Sequence, residues 1–146
     1  MSSAKPPRLQ HQMRTVVALA IMHSDNVGRR IGLLPIEVQI LNLLKLRDSP
    51  MTVAELRTVS RLPASSLSRA IDRLVANGYV RRWQDEADRR RVMIETDPVT
   101  EAELMPEFVA IASALQRAVD KFDDAELDVV ERFLDELRAQ LEGSDW

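Results

Sequence analysis

The chain has no cysteine among its 146 residues. Disulfides, thiolate metal sites and thiol redox sensing are therefore excluded, and a response to oxidants would have to run through methionine. Glycine is scarce, with four residues at positions 28, 32, 78 and 143 and no cluster among them. An enzyme that holds a nucleotide or cofactor usually brings its backbone close through a glycine-rich loop, and this chain has none. The two histidines, His11 and His23, fit no metal-ligand spacing, and no Ser-His-Asp arrangement stands out. No catalytic residue, metal or cofactor is expected. Aromatic residues make up only 4%, so Leu, Val, Ile, Ala and Met must fill the core, which suits packed helices. The longest apolar run, Val16 to Met22, is far short of the roughly 20 residues needed to span a bilayer. The N-terminus lacks the basic start, apolar stretch and small-residue site of a secretory signal. A soluble cytoplasmic protein with no membrane partner is the expectation.

The net charge of −3 conceals an asymmetry. Residues 57–92 carry nine arginines against four acids, while residues 93–146 carry four basic residues against fifteen acids. A polyanion is attracted by the middle segment and repelled by the last one. An acidic overall balance is thus no argument against nucleic acid.

Along the chain, residues 1–8 are polar, contain two prolines and read as a mobile arm. A first helix is expected over about 9–29, with Gly28 and Gly32 marking its end. Pro35 opens a second, in which Ile36, Ile40, Leu43 and Leu44 recur at helical spacing. Thr52-Val53-Ala54-Glu55 is a capping box that opens a third helix. Pro63 is a good first-turn residue for a fourth, which ends at Asn77-Gly78. Two short strands, about 79–83 and 91–96, flank a polar turn at 84–88. The remainder reads as helical. Leu104, Phe108, Ile111, Leu115 and Phe122 keep helical spacing, Asp123 to Glu126 resembles another capping box, and Leu127, Val130, Leu134, Leu137 and Leu141 follow. Pro106 should kink the fifth helix.

The fourth helix and the strands after it carry the functional signal. Leu67, Ala70, Ile71, Leu74 and Val75 form one apolar stripe. Ser65, Arg69, Asp72 and Arg73 fall on the opposite side, with Ser66 and Ser68 beside them. Small hydroxyl residues let a helix enter a major groove closely, and Arg69 can give two parallel hydrogen bonds to guanine. The first strand carries Arg81 and Arg82, and the hairpin tip carries Asp88, Arg89, Arg90 and Arg91. Arginines at a hairpin tip suit a narrow minor groove. Asp88 beside them can hold one guanidinium by paired hydrogen bonds and orient the wing.

Residues about 33–97 resemble the MarR family of regulators. The likeness rests on Ser65-Ser66-Leu67-Ser68-Arg69, Asp72-Arg73-Leu74, Asn77 to Arg82, and the wing run Asp85-Glu86-Ala87-Asp88-Arg89-Arg90, and the flanking helices extend it over nearly the whole chain. It implies a mainly α fold with a small β-hairpin wing, a winged helix-turn-helix (33–97) flanked by dimerisation helices (9–30 and 98–142), all in one domain. It implies a homodimer on a pseudo-palindromic operator in double-stranded DNA, acting as a ligand-responsive repressor. Ser65, Ser66, Ser68 and Arg69 match base- or phosphate-contacting positions. Arg73 matches a phosphate contact, and Arg90 or Arg89 the wing arginine; Arg82 joins this DNA-binding set. A small-molecule effector pocket would involve Met13, Arg14, Met22 and His23. The family's hydroxyl caps are replaced here by Leu34 and Pro63, and its glycine after the second strand by Thr96-Asp97-Pro98. The alternative is a winged helix that docks a protein partner and binds no DNA, against which the arginine pattern speaks.

Overall fold

The computed structural model describes residues 5–144. Its elements run α1 (Lys5–Ile31), α2 (Pro35–Arg47), β1 (Met51–Thr52), α3 (Val53–Ser60), α4 (Ala64–Ala76), β2 (Val80–Gln84), β3 (Val92–Thr96), α5 (Pro98–Val119) and α6 (Asp124–Glu142). The three strands form one antiparallel sheet in the order β1-β3-β2. The chain divides into two compact units, Met1–Glu107 and Phe108–Trp146.

α1 starts earlier than the sequence pattern predicts. Residues 5–8, expected as part of a mobile arm, are helical; residues 1–4 of that arm lie outside the described residues. Pro6 and Pro7 fall in the first turn, where backbone N–H groups have no intrahelical acceptor, so proline removes nothing. The two glycines expected to end α1 do different work. Gly32 has φ 76° and closes the helix: Leu33 N–H donates to the Gly28 carbonyl at 2.8 Å and Gly32 N–H to that of Arg29. Gly28 is buried within the helix, and a Cβ there would stand 2.7 Å from Val38 Cγ2. It permits a close crossing of α1 over α2.

α2 begins at Pro35 without a hydroxyl cap. Leu34 offers no side-chain acceptor, and Glu37 Oε2 instead accepts the Leu34 N–H at 2.9 Å. In α3 the capping box is complete. Glu55 N–H donates to Thr52 Oγ1 at 3.0 Å, and Thr52 N–H donates to Glu55 Oε2 at 2.8 Å. The predicted two-stranded wing is a three-stranded sheet, because β1 supplies a third strand. Two residues are too few to show alternation, and Thr52 is both the last strand residue and the cap of α3. The core of this unit holds Ile40, Leu44, Met51, Leu56, Leu67, Ile71, Leu74 and Ile94. α4 ends as Asn77-Gly78 leads one to expect: Gly78 has φ 78°, and Tyr79 N–H reaches the Leu74 carbonyl at 2.9 Å.

Asp97, where the family's glycine is missing, caps α5 by accepting from Val99 N–H at 3.0 Å and Thr100 N–H at 3.1 Å. α5 runs on through Pro106 as one helix, although Pro106 leaves the Ala102 carbonyl without its helical donor. The side chains of Leu104 and Phe108 lie outside the described residues. Asp123 and Glu126 cap α6 reciprocally at 3.0 and 2.9 Å. None of the residues of α6 is buried.

Two measurements test these local assignments. Gly28→Ala gains about 1 kcal/mol of helix propensity but forces Val38 to move in a filled core, a cost of about 1–3 kcal/mol. Urea unfolding should therefore show a net loss of about 1 kcal/mol, absent when the change is made in a Val38→Ala background. For Glu55, the Thr52 N–H holds the carboxyl below its ordinary value of 4.5. The stability this contributes is complete above that value and is lost as pH falls through the lower folded one. A Glu55→Gln variant should accordingly be less stable at neutral pH and converge on the wild type below pH 4.5; parallel curves would remove Glu55 from the cap.

Candidate nucleic-acid interface

The interface is built on the amphipathic split of α4. Leu67, Ala70, Ile71 and Leu74 are buried, so the helix shows Ser65, Ser68, Arg69, Asp72 and Arg73 to solvent, with Ser66 half-buried at the margin. Pro63 is the N-cap residue, one position earlier than the first turn, and no side chain caps the helix start. The first amides of α4 thus keep their donor capacity and their share of positive potential. Arg69 Nε donates to the Ser65 carbonyl at 3.3 Å, which lays the guanidinium along the first turn.

Two arginines of the expected contact set have partners inside the protein. Arg73 Nε donates to Glu37 Oε1 at 2.5 Å, and Glu37 is wholly buried. Arg82 Nη1 donates to Asp72 Oδ1 at 2.7 Å, tying β2 to the exposed face of α4. Both guanidinium side chains remain about half exposed, at 53% and 42%, so each retains donors that face water.

The wing loop, residues 85–91, is organised by its own acids. Asp85 N–H donates to the Arg91 carbonyl and Arg91 N–H to the Asp88 carbonyl, both at 2.9 Å. Asp88 Oδ1 accepts from the Arg90 backbone N–H at 3.1 Å and from Arg90 Nε at 3.3 Å. One oxygen takes both bonds, so the contact is not the two-oxygen fork expected of a carboxylate and an arginine. Asp85 accepts from Ala87 N–H at 3.0 Å and pairs with Arg91 at 3.3 Å. Arg90 nevertheless stays 94% exposed, and Arg89 is exposed beside it. On β2 and β3, Arg81 stands opposite Glu95 and pairs with it. Trp83, opposite Met93 on the same outer face of the sheet, is partly exposed.

The four residues expected around an effector do not gather on one face. At 3.6 residues per turn, Met13, Arg14, Met22 and His23 point to four different sides of α1. Met13 and His23 are half-buried, and Arg14 and Met22 are exposed. His23 lines a surface depression with Asn26, Arg29 and Arg30, and its buried Nε2 has no hydrogen-bond partner. Among the described residues, no group of three or more His, Asp and Glu is placed to hold a metal ion, and no helix is long and apolar enough to cross a membrane.

Glu37 is the residue that the sequence pattern did not single out. Its signal was available in its position, three residues after an N-cap that has no hydroxyl of its own.

Residues 31–91 match the MarR family. The chain is 25% identical over 114 residues, 78% of its own length and 73% of the relative's, to YcgE, an uncharacterized HTH-type transcriptional regulator of Bacillus subtilis (strain 168). A MepR variant from a multidrug resistant S. aureus clinical isolate superposes with a TM-score of 0.77 at 13% identity, over 91% of this chain and 96% of that one. A MarR variant from E. coli complexed with operator DNA does so with a TM-score of 0.58 at 18% identity, over 93% and 99%. At such identities the solved structures establish a shared winged-helix fold.

Proposed function

We propose, from the match of residues 31–91 to the MarR family, that the chain is a sequence-specific double-stranded DNA-binding transcription regulator, working as a homodimer on a pseudo-palindromic operator. The observation that carries this reading is the exposed face of α4, where Ser65, Ser68 and Arg69 stand beside an uncapped helix start. Short hydroxyl side chains let the backbone approach a major groove, and Arg69 has the reach for a bidentate contact to guanine. Ser66, at the margin of that face, and the open amides of the first turn serve phosphates. Arg89 and Arg90, held on a loop braced by Asp85 and Asp88, enter the adjacent minor groove. The solved complex of a MarR variant with operator DNA supports the same placement of the fold on DNA.

A homodimer accounts for the apolar side chains that a single chain leaves in water. In α1 these are Val16, Val17, Leu19, Ile21 and Met22, and in α6 Val130, Phe133, Leu134 and Leu141. Apolar surface on this scale marks an interface. The fifteen acids of residues 93–146 keep that segment from serving as a second DNA face. Bound at an operator, the dimer represses by occupying it. A small-molecule effector would release it by favouring a different arrangement of the helices, in proportion to its differential affinity for the two. The setting for this function is the cytoplasm.

Two experiments test this reading. The first selects a bound site from genomic fragments and measures affinity for it and for a scrambled duplex at several salt concentrations. Arg69→Ala should cost about 1–3 kcal/mol on the selected site and much less on the scrambled one. Arg90→Ala should weaken both, and flatten the log–log salt slope of the dimer by about 2 through the loss of one phosphate-neutralising charge per subunit. Binding to neither duplex at low salt would return the winged helix to a protein-docking role. The second places Asp at Leu134 and Leu137. Sedimentation should then show a monomer that has lost DNA binding, and a folded wild-type monomer at micromolar concentration would defeat the dimer.

A further inference from the structure

We infer that Arg73 and Glu37 are positioning residues which clamp the recognition helix α4 onto the start of α2, and that Arg73 serves DNA binding through this clamp rather than as a phosphate contact. The inference rests on the proposed DNA-binding function and concerns how its reading helix is held.

The sequence places the two residues thirty-six positions apart. The fold brings them together beneath α4. Glu37 has no exposed surface, so its carboxylate must find its partners within the protein. One oxygen accepts the Leu34 N–H at 2.9 Å and thereby supplies the glutamate half of a capping box at the start of α2. The other accepts Arg73 Nε at 2.5 Å. A single carboxylate therefore closes one helix and grips another, and each bond restricts the rotamer needed for the other. Arg73 lies one helical turn after Arg69. A shift of α4 along or about its axis that misplaced Arg69 would break the Arg73 bond first, leaving a buried carboxylate with one partner fewer. The apolar stripe alone sets a rotation but tolerates small slides, because apolar contact is non-directional. A charge-assisted hydrogen bond is directional and short.

The rival role, a phosphate contact from the solvent-facing donors of the half-exposed Arg73 guanidinium, makes different predictions. Four variants separate them: Arg73→Lys, Arg73→Gln, Glu37→Gln and the Glu37→Gln/Arg73→Gln double variant. All should be checked for native helix content, since Arg73 is half exposed and its replacement leaves the core filled. For a clamp, all three single variants lower the preference for the selected site over the scrambled duplex by roughly tenfold, the scale of coupling between contacting residues. The salt slope stays as in the wild type, Lys fails to rescue, and the double variant is no worse than the more affected single one. For a phosphate contact, Arg73→Lys behaves as the wild type, Arg73→Gln flattens the slope by about 2 per dimer, and Glu37→Gln leaves binding unchanged. That second pattern would overturn the inference.

Hydrogen exchange on the DNA-free protein gives an independent reading, which holds even if no duplex is bound. The clamp predicts faster exchange of the α4 amides in Glu37→Gln and in Arg73→Gln, with no further increase in the double variant. Additive effects, or none, would show that the two residues do not act as a pair.

Discussion

The apolar stripe of α4 can be buried in only one rotational setting of that helix. Leu67, Ile71 and Leu74 are each 2% exposed or less, and burying a side chain of this kind is worth about 1.5–3 kcal/mol. Turning α4 by one residue would bring most of that surface into water, a loss comparable to the whole stability of a small domain, about 5–15 kcal/mol. The direction in which Ser65, Ser68 and Arg69 point is therefore a consequence of core packing. The rotational setting of this face is as fixed as the core beneath it, and the side chains proposed to read DNA need no interaction of their own to point outward. They are free to be short, polar and exposed because the other side of the helix does the folding.

The acids inside the basic segment follow from a different requirement. Asp72, Asp85 and Asp88, with Glu95 just beyond the segment, each pair with an arginine of β2 or the wing loop. Exposed pairs of this kind contribute about 1 kcal/mol or less, so stability is a weak reason to keep them. Conformational order is a stronger one. A seven-residue loop proposed to carry arginines into a narrow groove loses backbone entropy of about 1–2 kcal/mol per residue when it is fixed. The carboxylates of Asp85 and Asp88 take part of that loss during folding by holding Ala87 N–H and Arg90 N–H in place. Less remains to be lost on binding. Arg90 stays almost fully exposed even though Asp88 touches its Nε, so the brace does not withdraw the charge it orients.

Which parts of this architecture could be read from the sequence depends on whether their cause is periodic or a single contact. The helices with apolar stripes or capping boxes were legible. Thr52 with Glu55 and Asp123 with Glu126 form reciprocal caps, and Asn77-Gly78 ends α4. Features that rest on one contact were not. β1 is too short to alternate. Gly28 looks like a stop signal until Val38 is seen against it, because the sequence gives no sign of a helix crossing. Lys5 to Arg8 look like an arm because two prolines repel helix in the interior, whereas in the first turn they cost nothing. The same distinction applies to the interface. Ser65, Ser68 and Arg69 follow from the 3.6-residue period and are exposed as it requires. Arg73 follows from the period as well, but its ion pair with Glu37 depends on a crossing of α2 and α4 that no local pattern encodes. The four residues expected around an effector are a related case: proximity in sequence along α1 does not place Met13, Arg14, Met22 and His23 on a common side.

The charge of α6 bears on how the two proposed associations respond to salt. Its apolar residues Leu127, Val130, Leu134, Leu137 and Leu141 recur at three and four positions. By the same 3.6-residue period, Asp124, Asp128, Asp135, Glu136 and Glu142 fall roughly a quarter of a turn or more from the middle of that stripe. Two copies of the stripe can meet without desolvating these carboxylates, which remain on the outer margin and repel one another across it. Added salt screens that repulsion over a Debye length of about 10 Å at 0.1 M and strengthens apolar association. The same salt weakens DNA binding, because releasing counterions from the phosphates into a saltier solution gains less entropy. Dimerisation and DNA binding thus respond to ionic strength with opposite sign. A salt slope for DNA binding counts phosphate contacts only when the protein concentration is high enough to keep the dimer whole at the lowest salt. Below that concentration, a growing monomer fraction at low salt would make the slope shallower and undercount the contacts.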